Sequence, residues 1–176
     1  MGMFGLTLYQ NASNTSWSSV KDFITAGSAG YGHSINISDD GKFVVWGEWD
    51  TNGDIKVHSI DTNETITLPA LDAAAKNGFF VQMKGTASTG LVIVSTASQS
   101  ADTELSPVVM IWRNDRPATE FATAWNSMGN LYQSGNLVSN APTVCELNTY
   151  KNLLYINVRN SVQANVYTFP STIEYN

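Results

Sequence analysis

Charged residues are scarce in this 176-residue chain, and cysteine is nearly absent. Asp, Glu, Lys and Arg make up 14% of the residues, against about 25% in an average globular protein, so the surface must be polar mainly through uncharged side chains. The single cysteine, Cys145, excludes an internal disulfide and a paired-cysteine zinc site. The chain has no run of about 18 apolar residues and no basic segment before an apolar one, so we expect neither a membrane span nor a signal peptide.

Basic residues are also few, and they are scattered singly along the chain. Nine Lys and Arg stand against fifteen Asp and Glu, which gives a formal net charge of −6. This balance opposes attraction to phosphate backbones and to anionic membrane surfaces. We therefore expect no nucleic-acid partner and no membrane partner.

Sequence motifs for catalysis are missing as well. The two histidines occur singly, His33 at the opening of a predicted strand and His58 within another, which leaves few places for a Ser-His-Asp or Cys-His mechanism. The chain contains no zinc-protease, phosphate-loop, dinucleotide-binding or nucleophile-elbow motif. We therefore expect a protein that is not an enzyme and that uses no cofactor and no metal.

Short runs of Val, Ile, Phe, Tyr and Trp, separated by Gly, Asn, Asp and Ser, dominate the sequence. Such runs are typical of strands joined by tight turns. Helix has only weak support, at 71–77 and 119–128. The pattern predicts an all-β protein, and the length suits a single domain over residues 1–176.

The predicted strands recur in groups of about four, at a spacing of roughly fifty residues. Each group is an antiparallel meander, and a half unit with a Gly-rich linker, residues 1–32, precedes them with strands at 6–10 and 20–25. Unit one, residues 33–70, has strands at 34–39, 42–49, 54–60 and 64–68. Unit two, residues 78–126, has strands at 79–84, 91–96, 108–113 and 120–124. Unit three, residues 142–176, has strands at 143–147, 153–159, 162–169 and 172–175.

Two stretches of unit one carry the most specific pattern. They are Ser-Asp-Asp-Gly-Lys-Phe-Val-Val at 38–45 and Gly-Asp-Ile-Lys-Val-His-Ser-Ile-Asp-Thr at 53–62. Over residues 33–68 the chain resembles a β-propeller blade of the WD-repeat and YVTN-like kind, which implies a propeller-like fold of about three and a half blades. The later units keep the strand spacing without the Asp-Gly turn, and a β-sandwich is the alternative fold.

An open series of blades needs a partner. Known propellers have at least about four blades, so three and a half cannot close a ring alone, and open sheet faces and edges attract other chains. We therefore expect a homo-oligomer or a place in a larger assembly. The continuous apolar runs at 91–94 and 108–112 predict strands that are buried on both faces.

The composition as a whole resembles that of structural proteins from tailed-phage particles, with low charge, abundant Asn, Ser, Thr and Gly, and many short strands. This resemblance implies a virion component, such as a capsid decoration protein or a tail or fibre adaptor, that docks through β surfaces onto its own copies and a larger shell. The expected location is the virion. The alternative is the cytoplasm, or release without a signal peptide.

An oligomeric carbohydrate-binding propeller is the alternative function. Aromatic faces beside amide and carboxylate groups form sugar sites, and the chain has five tryptophans. The candidate glycan-binding residues are Trp49, Asp50, Asn52 and Trp125, with Trp17 as a further aromatic. Packing of most tryptophans between sheets or at a subunit interface is the other interpretation of the same residues.

Overall fold

The computed structural model describes residues 6–13, 16–24, 31–48, 54–68, 76–98, 108–133, 143–148, 153–158 and 164–168. The regular elements in these ranges are strands of antiparallel sheets, which confirms the predicted all-β fold. A helix of membrane-spanning length and hydropathy is not found in these ranges. The chain divides into two units, Met1–Tyr31 and Gly32–Asn176.

The first unit contains a β-hairpin made of β1 (Leu6–Ser13) and β2 (Ser16–Ile24). Both strands are longer than the sequence predicted. The polar stretch that follows Gln10 contains few of the apolar residues on which strand prediction depends, yet antiparallel pairing continues through it, with Asn11 opposite Trp17. The hairpin is therefore held in part by backbone hydrogen bonds between polar segments.

The second unit opens with a four-stranded meander, as predicted for the first complete repeat. Its strands are β3 (Tyr31–Ile37), β4 (Phe43–Glu48), β5 (Asp54–Ser59) and β6 (Glu64–Thr67), paired in that order. The Asp-Gly turn joins β3 to β4, and Gly41 has a φ of 71° there, which glycine adopts without steric cost. The Gly41 N–H donates to the Ser38 carbonyl at 2.9 Å and closes the turn.

A second four-stranded meander follows, and its last strand differs from the prediction. The strands are β7 (Lys76–Thr86), β8 (Gly90–Ser98), β9 (Val108–Asn114) and β10 (Asn126–Gln133), with β7 at one edge and β10 at the other. The predicted strand at 120–124 is wrong, because these residues form turns in which Glu120 N–H donates to Arg116 O and Ala124 N–H donates to Glu120 O. The weak helix at 119–128 is wrong for the same reason.

A third antiparallel sheet contains β11 (Thr143–Asn148), β12 (Leu153–Val158) and β13 (Ala164–Thr168), paired in that order. These strands match three of the four predicted for the third repeat. The fourth, at 172–175, lies outside the described residues, and so does most of the weak helix at 71–77.

The hydrophobic core lies between the first two meanders, where β4 and β5 pack against β7. Alternation along each strand turns one set of side chains toward this interface. The buried cluster consists of Phe43, Val45, Ile55, Val57, Leu68, Val81, Met83, Leu91, Ile93, Met110, Trp112, Phe121 and Trp125. The two meanders are thus joined mainly by aliphatic and aromatic burial.

The second meander is buried on both faces. Adjacent residues of β8, Ile93 and Val94, are both fully buried, and so are Met110 and Ile111 of β9, although neighbours on a strand point to opposite faces. The strand β11 packs against β7 and β8. This burial is what the continuous apolar runs in the sequence predict.

Candidate functional site at the junction of two sheets

The outer edge of β7 is sealed by side chains from β3. Because β7 is an edge strand, alternate peptide groups point away from its partner β8. The Ser34 hydroxyl donates to the Val81 carbonyl at 2.8 Å, and the Met83 N–H donates to Oδ1 of Asn36 at 3.3 Å. These bonds occupy backbone groups that would otherwise be open to a further strand.

Asp39, in the turn after β3, forms further hydrogen bonds with the same edge of β7. Its backbone N–H donates to the Gly85 carbonyl at 2.9 Å, and its carboxylate Oδ2 accepts the Gly85 N–H at 2.9 Å. Both peptide groups of Gly85 are therefore held by one residue. We use the name sheet junction for the contacts that Ser34, Asn36, Asp39 and Asp40 make with residues 81–87.

Asp40 connects the turn after β3 to the turn after β7. Its Oδ2 accepts the Ala87 N–H at 2.7 Å, and its Oδ1 accepts the Ser38 hydroxyl at 2.7 Å and the Lys42 N–H at 3.2 Å. Partial burial is the largest single influence and raises the pKa of Asp40. The hydrogen bonds, led by the one from Ala87, together outweigh burial and hold this pKa below its ordinary value of 3.8.

Acid should weaken the sheet junction through Asp40. Because the folded pKa lies below the unfolded one, the carboxylate contributes its full stability above about pH 4 and loses it as the pH falls through the folded pKa. The Asp40→Asn variant has no titrating group at this position. We expect its free energy of unfolding to fall less than that of the parent between about pH 5 and about pH 2, as measured by urea denaturation. Parallel pH profiles would contradict a role for Asp40.

A surface ion pair lies beside the sheet junction. The Lys42 Nζ is 2.8 Å from Oδ2 of Asp61, and the hydrogen bond with this carboxylate, followed by its charge, raises the pKa of Lys42 above 10.5. The two side chains are 47% and 61% exposed, so water screens their attraction. The pair therefore contributes little to stability.

The candidate glycan-binding residues are only partly described. Trp49, Asp50 and Asn52 lie outside the described residues. Trp125 is 9% exposed, and its indole N–H donates to the Phe121 carbonyl at 2.7 Å. The structure thus places Trp125 in the core between the meanders rather than on an open surface.

The histidines and the cysteine belong to three different strands. His58 is 1% exposed, and its Nδ1 lies 2.9 Å from the Thr65 hydroxyl on the neighbouring strand. His33 belongs to β3 and Cys145 belongs to β11. Within the described ranges, no three His, Cys, Asp or Glu side chains are grouped so that they could hold a metal ion.

One exposed apolar surface was missed by the sequence interpretation. Ile35 and Ile37 of β3 are each 48% exposed, and we name this pair the β3 stripe. Since Ser34 and Asn36 are directed toward β7, alternation places the β3 stripe on the opposite face of the strand. The alternation of Ser, Ile and Asn does predict a strand with two unlike faces. It does not reveal that the isoleucines are on the uncovered one.

No family model matches the chain, and a search of curated proteins found no match. The observations that bear on function are therefore the sheet junction, the β3 stripe and the other exposed apolar side chains of the chain itself.

Proposed function

We propose that this chain is a structural protein of a virion, such as a capsid decoration protein or a tail or fibre adaptor, that assembles through its β-sheet faces. The observation that carries the proposal is the β3 stripe, because Ile35 and Ile37 are about half exposed on an edge strand. Apolar side chains on an open edge favour contact with another chain. The low proportion of charged residues is the compositional feature that resembles structural proteins of tailed-phage particles.

A propeller-like series of sheets explains why the β3 stripe is exposed. The sheet junction joins Ser34 to Val81 and Asn36 to Met83, each 47 residues apart, and Asp39 to Gly85, 46 residues apart. This nearly constant offset means that β3 and β7, the first strands of successive sheets, run side by side in the same direction. The third sheet continues the series, since its first strand, β11, packs against β7 and β8. The arrangement favours a series of blades over a two-sheet sandwich.

In such a series the β3 stripe is the exposed part of the face that a preceding sheet would meet. Val44 and Trp46 of β4 alternate with the core residues Phe43 and Val45 and are already buried, so the open part of this face is at β3. The other face of β3 is directed toward β7. The proposed occupant is a second copy of this chain, because three and a half blades fall short of the four or so that closure requires. A head-to-tail contact of this kind closes a ring when the rotation permits and extends a fibre when it does not.

The Ile37→Lys variant should lose self-association. A lysine in the contact would have to be stripped of water without a partner charge, so we expect the apparent dissociation constant to rise about tenfold or more. Light scattering on a size-exclusion column measures the change. The Thr62→Lys variant is the matched control, because it adds the same charge to an exposed turn of the same sheet and should leave the mass unchanged. If the Ile37→Lys protein had the same solution mass as the parent, the β3 stripe would not be part of the contact between copies.

The virion location can be tested separately from self-association. Mass spectrometry of particles sedimented from the source culture should find many copies of the chain in each particle. Recovery of the chain only from the particle-free fraction would contradict the virion role, whatever the mass of the purified protein.

A further inference from the structure

We propose that His58 makes the outer edge of the first meander acid-sensitive, so that protonation of its imidazole loosens the edge strand β6. His58 is 1% exposed, and it is the one buried side chain among the described residues whose charge changes between about pH 8 and about pH 5. Burial favours the neutral ring, because an imidazolium would lose its hydration. The inference concerns the single chain and does not rest on the proposed assembly.

His58 links β5 to β6. It stands opposite Thr65, and its Nδ1 lies 2.9 Å from the Thr65 hydroxyl. The strand β6 has only four residues and lies at the edge of the sheet, where three of its four side chains are exposed. Since β6 buries little surface of its own, its stability depends on its pairing with β5. Release of β6 would uncover the edge of β5, to which another strand can pair.

The nearest side chains of β4 on the same face as His58 are apolar. His58 stands opposite Val44, and Trp46 is its diagonal neighbour. Val44 and Trp46 are 3% and 4% exposed. Glu48, the acidic residue of β4 on this face, stands opposite Asp54, which is four residues from His58 and therefore about 13 Å along the strand. The immediate surroundings on β4 thus offer no compensation for a positive charge.

The charged side chains placed closest to His58 by the strand register are two lysines. Lys56 is two residues away on β5, and Lys42, just before β4, is diagonal to His58. Both positive charges oppose a third one between them. The lysines pair with carboxylates, since Nζ of Lys56 is 3.3 Å from Asp54 and Nζ of Lys42 is 2.8 Å from Asp61. Protonation of His58 would therefore add a charge to a face whose carboxylates are already paired.

The other elements packed against β5 place no described charged group beside His58. On β6, Thr65 and Thr67 share its face, whereas Glu64 stands opposite Ser59 and belongs to the other face. The strand β7 packs against β5 on the side of the core. Burial and the lysines therefore act in the same direction, and both favour the neutral ring.

The expected pH dependence follows from this preference. Once β6 opens, the ring is exposed and binds a proton below about pH 6.5, whereas the buried ring stays neutral. Stability at the edge is therefore complete above about pH 7 and is lost as the pH falls below about 6.5. Between about pH 8 and about pH 5, the equilibrium constant for opening should rise about tenfold or more. This range lies above the one in which Asp40 titrates.

Amide hydrogen exchange of the full chain tests the inference. The Leu68 N–H donates to the Ile55 carbonyl at 2.9 Å, next to the last β5–β6 pair, so its protection factor reports opening of the edge. We expect this factor, corrected for the intrinsic exchange rate, to fall about tenfold or more from pH 8 to pH 5. The amides of β8 should keep theirs. An unchanged factor at Leu68, or an equal fall in β8, overturns the assignment to β6.

Two variants and one spectrum identify the group that titrates. His58→Asn keeps a polar atom near the position of Nδ1 and cannot titrate, so its protection factors should be the same at pH 8 and pH 5. His33→Asn removes the chain's other histidine and should keep the pH dependence of the parent. In NMR spectra of the parent, the His58 ring should be neutral at pH 6, where an exposed histidine is mostly protonated. A protonated ring at pH 6, or a His58→Asn protein that responds to pH like the parent, overturns the inference.

Discussion

The Gly85→Ala variant is expected to lose roughly 3 kcal/mol or more of its free energy of unfolding. Gly85 has a φ of 104°, a backbone conformation that residues other than glycine rarely adopt. A Cβ atom at this position would lie 2.0 Å from the Gly90 carbonyl oxygen, on the paired strand β8. The backbone would have to move, and the two hydrogen bonds with Asp39 would be disturbed with it. Urea denaturation measures the loss.

The Gly41→Ala variant is the matched control for this substitution. Gly41 also has a positive φ, 71°, but a Cβ there would meet no atom within 4 Å. We therefore expect only the cost of left-handed backbone, about 1–2 kcal/mol. Equal losses for the two variants would mean that Gly85 is not closely packed against β8 and that the sheet junction is looser than described.

The Ile93→Ala variant is expected to lose about 2–5 kcal/mol of its free energy of unfolding. Ile93 is fully buried in the cluster that joins the two meanders. Removing three methylene or methyl groups there gives up their transfer energy and leaves a cavity that the surrounding sheets can only partly fill. The loss is measured by urea denaturation at a low protein concentration, so that association contributes little.

Ile35→Ala is the control for Ile93→Ala, because it makes the same chemical change in the same unit. Ile35 is 48% exposed and lies on the open face of β3, so its loss should change the stability of the single chain by no more than about 0.5 kcal/mol. If both alanine variants were destabilised alike, the β3 stripe would be part of the core and not an open surface. If neither were destabilised, the two meanders would not share the described core.

The strands of the first meander were predictable because several local signals agree there. The Asp-Gly pair predicts the turn at 40–41, and Gly41 has the positive φ that this turn requires. The alternation of apolar and polar residues in 54–60 predicts a strand, and β5 occupies Asp54–Ser59 with Ile55 and Val57 buried. Each local preference points to the same structure, so the pattern is read without knowledge of the fold.

The position of β10 was not predictable, because apolar side chains in turns also pack into the hydrophobic core. Phe121 lies in a turn, and its ring stacks on that of Phe43 with centroids 5.6 Å apart. Trp125 is buried beside it just before the strand begins. A sequence pattern indicates that such residues are buried, but it does not show whether they belong to a strand or to a turn.

The sheet junction could not be predicted either. The sequence identifies 40–41 as a turn, but the partners of Asp39 and Asp40 are 46 and 47 residues away, beyond the reach of any local pattern. The same limit applies to Ile35 and Ile37, which are the residue type that also fills the core. Their exposure depends on which face of β3 the next sheet covers, and only the packing of the sheets determines that face.

Light scattering on a size-exclusion column, over a range of protein concentrations, decides whether copies of this chain assemble as proposed. The β3 stripe and the open series of sheets predict a mass that is a multiple of the 19.1 kDa chain and that depends on Ile37. A mass of one chain at every concentration, in the parent as in the Ile37→Lys variant, would contradict self-assembly through the sheet faces.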